Sequence, residues 1–120
     1  MSNHETKAFN LTEALERVEG DMDLLKEMID LFLEECPRMV SEIELALTTS
    51  DAQALQNAAH TLKGAVSNFS AYGAAEASFT LEKMGRRHDL ANTDTALSTL
   101  KYELVRLGSA LEALKEKKAA

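Results

Sequence analysis

Ala59-His60-Thr61-Leu62-Lys63-Gly64 sets a nucleophile, a cation and a missing side chain within two turns of chain. Neutral imidazole is a good nucleophile near pH 7, because its unperturbed pKa is about 6.5. An exposed imidazole with a cation beside it and open space around it suits a group that accepts an anion. On a helix, Lys63 stands one turn beyond His60 and can offset an anion's charge, although an exposed pair of this kind contributes only about 0.2–1 kcal/mol. Gly64, four residues after His60, costs about 1 kcal/mol of helix propensity relative to alanine. A helix tolerates that where a side chain would obstruct something, here a partner's approach to His60. Gln56 and Ser67 fall on the same face and can hydrogen-bond a bound anion's oxygens or orient the ring. Each also has a plainer reading: a solvent-facing histidine, a solvated lysine, a packing glycine, ordinary polar surface.

The element that must position these residues is a helix. Ala52, Leu55, Ala59, Leu62, Val66 and Phe69 recur at spacings of three and four, the seam of a helix packed in a bundle. Gln56, His60, Lys63 and Ser67 recur at four, three and four beside it, roughly 80–140° from the seam's centre. His60 is therefore expected at the edge of the packed face, within reach of solvent. Asn10-Leu11-Thr12-Glu13 resembles a capping box and opens a short helix ending near Gly20. Asp21 caps a long helix whose seam runs Leu25, Met28, Ile29, Phe32, Cys36, Met39, Val40, Ile43, Leu47. The phase survives Pro37, which predicts one helix with a kink. Ser50-Asp51-Ala52-Gln53 reads as a second capping box, at the start of the His60 helix. The chain turns around Ser70 to Gly73. Ala74, Ala77, Ser78, Leu81 and Met84 mark the next helix, and Gly85 to Asn92 its fraying end and a loop containing Arg86, Arg87 and His88. Asn92 or Thr93 caps the last helix, with seam Leu97, Leu100, Leu104, Leu107, Leu111, Leu114 and with Lys115, Lys117 and Lys118 suiting the helix dipole. The expected fold is all-α: an antiparallel four-helix bundle over residues 9–116, with a short extra N-terminal helix over one end. Residues 1–8, including His4, are expected to be disordered and residues 117–120 frayed.

Bulk composition excludes several classes. The 120 residues suit one domain with one core, and 45% hydrophobic content is ordinary. A net charge of −7 argues against non-specific nucleic-acid or anionic-membrane binding. The charge is uneven: residues 1–60 carry 13 acids and 4 bases, residues 61–120 carry 7 acids and 9 bases. Such a one-sided field can steer a partner, or simply reflect solvated helix faces. Cys36 is the only cysteine and continues its helix seam, so it reads as a packed structural thiol. The histidines show no metal-ligand spacing with acids or cysteine. No apolar run reaches about 18 residues, and the polar start lacks a signal-peptide core. A cytoplasmic protein is expected, and Met1 with the lysine-rich tail points to a complete small one. Four aligned seams suit a monomer, while a surplus face on the last helix leaves dimerisation open.

His60-Thr61-Leu62-Lys63-Gly64-Ala65 resembles the phosphorylation-site signature of histidine-containing phosphotransfer domains, roughly H-x-[LIF]-K-G-[SA]. The resemblance extends over about residues 9 to 115, with an acidic, apolar helix (Leu24 to Leu47) before the motif and two helices after it. One segment departs: the family often has glycine in an N-L-G-A type stretch, and here the chain reads Asn68-Phe69-Ser70-Ala71. That bears on where the helix ends, not on the chemistry. The resemblance implies a phosphorelay intermediate. His60 would take a phosphoryl group from the aspartate of one receiver domain and give it to the aspartate of another. Its partners would be response-regulator receivers and a hybrid sensor histidine kinase. Carboxylates and Mg²⁺ would come from the receiver, so this chain would need no cofactor. Nor does it look like a kinase. It has no Gly-rich phosphate loop or Walker lysine motif. The phosphoacceptor of histidine kinases is commonly followed by an acid, and Thr61 follows here. Two rivals stand beside this reading: a four-helix adaptor that binds a receiver or kinase without phosphotransfer, and an enzyme using His60 as general base, which would need a pocket and a second catalytic group.

Overall fold

The computed structural model describes residues 7–117. They form five helices in the order α1 (Leu11–Arg17), α2 (Met22–Thr48), α3 (Ala52–Ser67), α4 (Tyr72–Arg86) and α5 (Thr93–Glu116). Helices α2 to α5 make the antiparallel bundle, and the described residues contain no strand. The expectations for His4, Lys118 and the outermost residues of both ends lie outside the described residues.

The core is built from the predicted seams. Leu25, Ile29, Phe32, Met39 and Ile43 of α2 meet Leu55, Ala59, Leu62 and Val66 of α3 and Leu100, Leu104, Leu107 and Leu111 of α5, all buried. Phe32 packs edge-on against Phe69, with ring centroids 5.6 Å apart. Cys36 is half-buried, and burial raises its thiol pKa. Helix α2 runs unbroken through Pro37, because packing on both flanks of the proline outweighs the one backbone bond it removes.

The caps sort into confirmed and corrected. Asn10 Oδ1 accepts from Glu13 N, and Asp21 Oδ1 from Leu24 N, each at 3.0 Å. The capping box does not close at α1: the Glu13 carboxylate accepts from Tyr72 Oη instead, tying α1 to the start of α4. Ser50 is not the cap of α3. Asp51 is, its Oδ1 accepting from Ala54 N at 3.0 Å, while Ser50 takes φ +53°. The reason lies in how the preceding helix ends. Asp51 N donates to Ala46 O and Ser50 N to Leu47 O, the paired bonds of a left-handed helix terminus. The same pairing ends α3 at Ser70 (φ +52°) and α4 at His88 (φ +54°). Ser70 thus occupies, without a glycine, the backbone conformation that glycine favours. It explains why the chain departs from N-L-G-A here while the helix still stops at Ser67.

Helix α1 lies over the end of the bundle where α3 passes to α4. Asn10 N donates to Phe69 O, and the Arg17 guanidinium donates to Ser67 O. Helices α3 and α4 approach closest, and Gly85 shows why. A Cβ there would stand 2.6 Å from Gln56 N and 2.7 Å from Ala52 O. Gly85 is therefore a buried packing residue inside α4. The helix does not fray at that point but continues to Arg86.

Candidate functional site

The close contact of α3 and α4 determines which side chains meet. His60 sits on the solvent edge of α3 with 68% of its side chain exposed. Across the contact, Glu82 of α4 is only 3% exposed. A buried carboxylate is costly unless paired, and this one is paired three ways. Its Oε2 lies 3.1 Å from His60 Nδ1 and 2.9 Å from Arg86 Nη2, and its Oε1 lies 2.8 Å from Lys63 Nζ. Burial alone would raise the Glu82 pKa, but Lys63 and His60 outweigh it, and the pKa lies below the usual carboxylate range. Glu82 is therefore ionised at neutral pH.

That charge state fixes the imidazole. A carboxylate only accepts, so the bond to Nδ1 assigns the ring proton to Nδ1. The lone pair then lies on Nε2, on the exposed side of the ring. Held in one orientation by a buried acid, the ring in its neutral form is a positioned nucleophile. The space beside it is open: a Cβ on Gly64 would meet nothing within 4 Å.

The predicted residues divide on inspection. His60, Lys63 and Gly64 are brought to one place. Lys63 leans on Glu82 and on the Phe79 ring, its Nζ 4.6 Å from the centroid, with Lys83 Nζ 4.7 Å from the same centroid. Ser67 Oγ donates to Lys63 O at 2.7 Å, so its hydroxyl is turned to the backbone and not to the ring. Gln56 lies where Gly85 packs on the backbone of α3. Arg86 is not a loop residue: it closes α4 and reaches back one turn to Glu82. Glu82 is not among the residues predicted from the sequence. The available signal was its phase, since Ala74, Ser78, Glu82 and Gly85 make a buried stripe at helical spacing.

Two surfaces flank the histidine. On the α4 side lie the cations Lys63, Lys83 and Arg86. On the α2 side, a mainly apolar groove and one of mixed polarity run along α3. The first is lined by Met28, Leu31, Met39 and Ala65, the second by Leu45, Ala54 and Ala58 with Glu42, Asp51 and Asn57. Leu31 and Leu45 are each 63% exposed, one either side of the Glu35–Arg38–Glu42 ion-pair ladder. Among the described residues, no three histidine, cysteine or acidic side chains cluster as a metal site, and no helix is long and apolar enough to cross a membrane.

The family model described as the Hpt domain matches residues 27–117. Among solved structures, the chain is similar to histidine-containing phosphotransfer protein B (HptB) from Pseudomonas aeruginosa PAO1. Identity is 22%, coverage is 93% of this chain and 97% of that one, and the TM-score is 0.86. It is also similar to the HPT domain of the Hpt sensor hybrid histidine kinase from Shewanella, at 21% identity, 98% and 100% coverage and a TM-score of 0.80. At these identities the two structures establish a shared fold. A search of curated proteins finds no match.

Proposed function

The chain belongs to the Hpt domain family, and on that premise we propose that His60 is the residue on which it carries the phosphoryl group. Membership makes it a phosphorelay intermediate, a phosphotransfer module without kinase activity. The observation that carries the assignment to His60 is its exposed ring, anchored through Nδ1 at 3.1 Å to the buried Glu82.

The chemistry follows from that geometry. The Nε2 lone pair attacks the phosphorus of a receiver's aspartyl phosphate. The N–P bond forms, the P–O bond breaks, and its electron pair leaves with the aspartate. The Nδ1 proton stays in place, so no base is needed. In the return step a second receiver's carboxylate oxygen attacks phosphorus, and the N–P electron pair goes back to Nε2. Gly64 leaves the approach clear, and Lys63 and Arg86 supply positive charge near the incoming group. Gln56 and Ser67 play a supporting part in the helix. The receiver brings the Mg²⁺ and the acidic pocket, and this chain binds neither ATP nor a cofactor. Its partners are receiver domains and a hybrid sensor kinase, which dock over His60 with an apolar element against Leu31 and Leu45 and with acids toward the α4 cations. It acts as a cytoplasmic monomer, away from nucleic acid and membrane.

Phosphotransfer from a phosphorylated receiver, with His60→Gln alongside, tests the reading. An acid-labile, base-stable label on wild type that is missing from the variant is the expected result. Receivers that bind both proteins equally while labelling neither would point instead to an adaptor.

A further inference from the structure

One carboxylate serves three partners in this site, and phosphorylation must upset that division. In the free protein the charge of Glu82 is shared by Lys63 on Oε1 and by Arg86 and the His60 Nδ1–H on Oε2. A phosphoryl group on Nε2 adds close to two negative charges to the ring whose Nδ1 shares Glu82 with the same two cations. Both have long, flexible side chains, and the Arg86 side chain is half exposed. The buried Glu82 cannot follow them out. We propose that phosphorylation moves Lys63 and Arg86 from Glu82 to the phosphoryl oxygens, and that the freed Glu82 charge then keeps the proton on Nδ1 of the phosphorylated ring.

The consequence concerns the kind of carrier this is. Attack by Nε2 with Nδ1 still protonated yields a cationic phosphoimidazole. If that ring loses its proton, the leaving group in the next step would be an imidazole anion, and the N–P bond persists. If the proton is kept, the leaving group is neutral imidazole and transfer is easy. Glu82 therefore holds the carrier ready for transfer and shortens its life in water. The charged groups that bear on the ring are Lys63 from α3 and Glu82, Arg86 and, through Phe79, Lys83 from α4. This inference rests on His60 as phosphoacceptor and is tested separately from it.

The full chain is phosphorylated with phosphoramidate, and the label is located by mass spectrometry in wild type and in Glu82→Gln. Glutamine keeps an oxygen acceptor for Nδ1–H but removes the charge. The ring's protonation is then read by ¹⁵N NMR across the pH range, together with the hydrolysis rate. The phosphorylated wild-type ring is expected to stay protonated above pH 7. In Glu82→Gln it should lose its proton at least one pH unit lower, with hydrolysis about tenfold slower at pH 8. Equal titrations and equal lifetimes with the label on His60 in both proteins overturn this inference and leave the phosphoacceptor in place. Absence of label on His60 overturns both. Should the variant not fold, the wild-type spectrum alone decides: a ring that is already neutral at pH 7 refutes the proposal.

Discussion

Replacing Gly85 by alanine is expected to loosen the contact that builds the site. The added Cβ would stand 2.6 Å from Gln56 N, 2.7 Å from Ala52 O and 3.0 Å from Gln56 Cα. All three are backbone atoms, so no side chain can swing aside, and α4 must retreat from α3 by about 1 Å to restore ordinary contact. Overpacking of this kind costs about 1–3 kcal/mol, and alanine's better helix propensity returns about 1 kcal/mol. With three backbone atoms struck at once the cost lies in the upper half of that range, about 2–3 kcal/mol, so the net loss should be about 1–2 kcal/mol, a fall in Tm of about 4–8 °C for a domain of this size. The same retreat would stretch the 3.1 Å contact of Glu82 with His60 Nδ1 beyond hydrogen-bond length, so phosphotransfer should slow as well. Gly64→Ala is the control. Its Cβ meets nothing within 4 Å, so it should gain about 1 kcal/mol. Urea denaturation followed by circular dichroism measures both. If Gly85→Ala is as stable as wild type, or if the two variants shift stability in the same direction, the account of the α3–α4 contact is wrong.

Leu31→Asp and Leu45→Asp should leave stability within about 0.5 kcal/mol, since both side chains are largely exposed, while weakening receiver binding about tenfold or more in a titration calorimeter. Glu82 has a folded-state pKa below its unfolded value, so its contribution is present at neutral pH and lost as pH falls through the folded pKa; the urea midpoint should drop between about pH 5 and pH 3, less steeply in Glu82→Gln. Ser70→Gly should raise stability by about 1 kcal/mol by relieving the left-handed backbone at φ +52°, visible as a higher Tm.

The seams, and with them the all-α bundle, were legible in the sequence because leucine, isoleucine and alanine at three-and-four spacing have one economical arrangement. That His60, Lys63 and Gly64 share one edge of α3 is legible in their spacing on one helix. What pairs across helices is not. Glu82 lies 22 residues beyond His60, and although its phase with Ala74, Ser78 and Gly85 marks it as inward-facing, nothing local shows what it meets; the tight α3–α4 approach allowed by Gly85 brings it to the imidazole. Arg86 reads as a loop residue for the same reason, since glycine beside two arginines resembles a helix end until the packing of Gly85 is seen. Ser50 reads as a cap because the left-handed termini at Ser50, Ser70 and His88 use no glycine, and glycine is the residue such a terminus usually shows.

The central claim is that Glu82 holds the Nδ1 proton and presents Nε2 of His60 as the nucleophile. Phosphorus–nitrogen correlation NMR on the phosphorylated, ¹⁵N-labelled chain tests it most directly, because it identifies the nitrogen bonded to phosphorus. The account predicts a single N–P bond, at Nε2 of His60. Phosphorus on Nδ1, or on any residue other than His60, would contradict it.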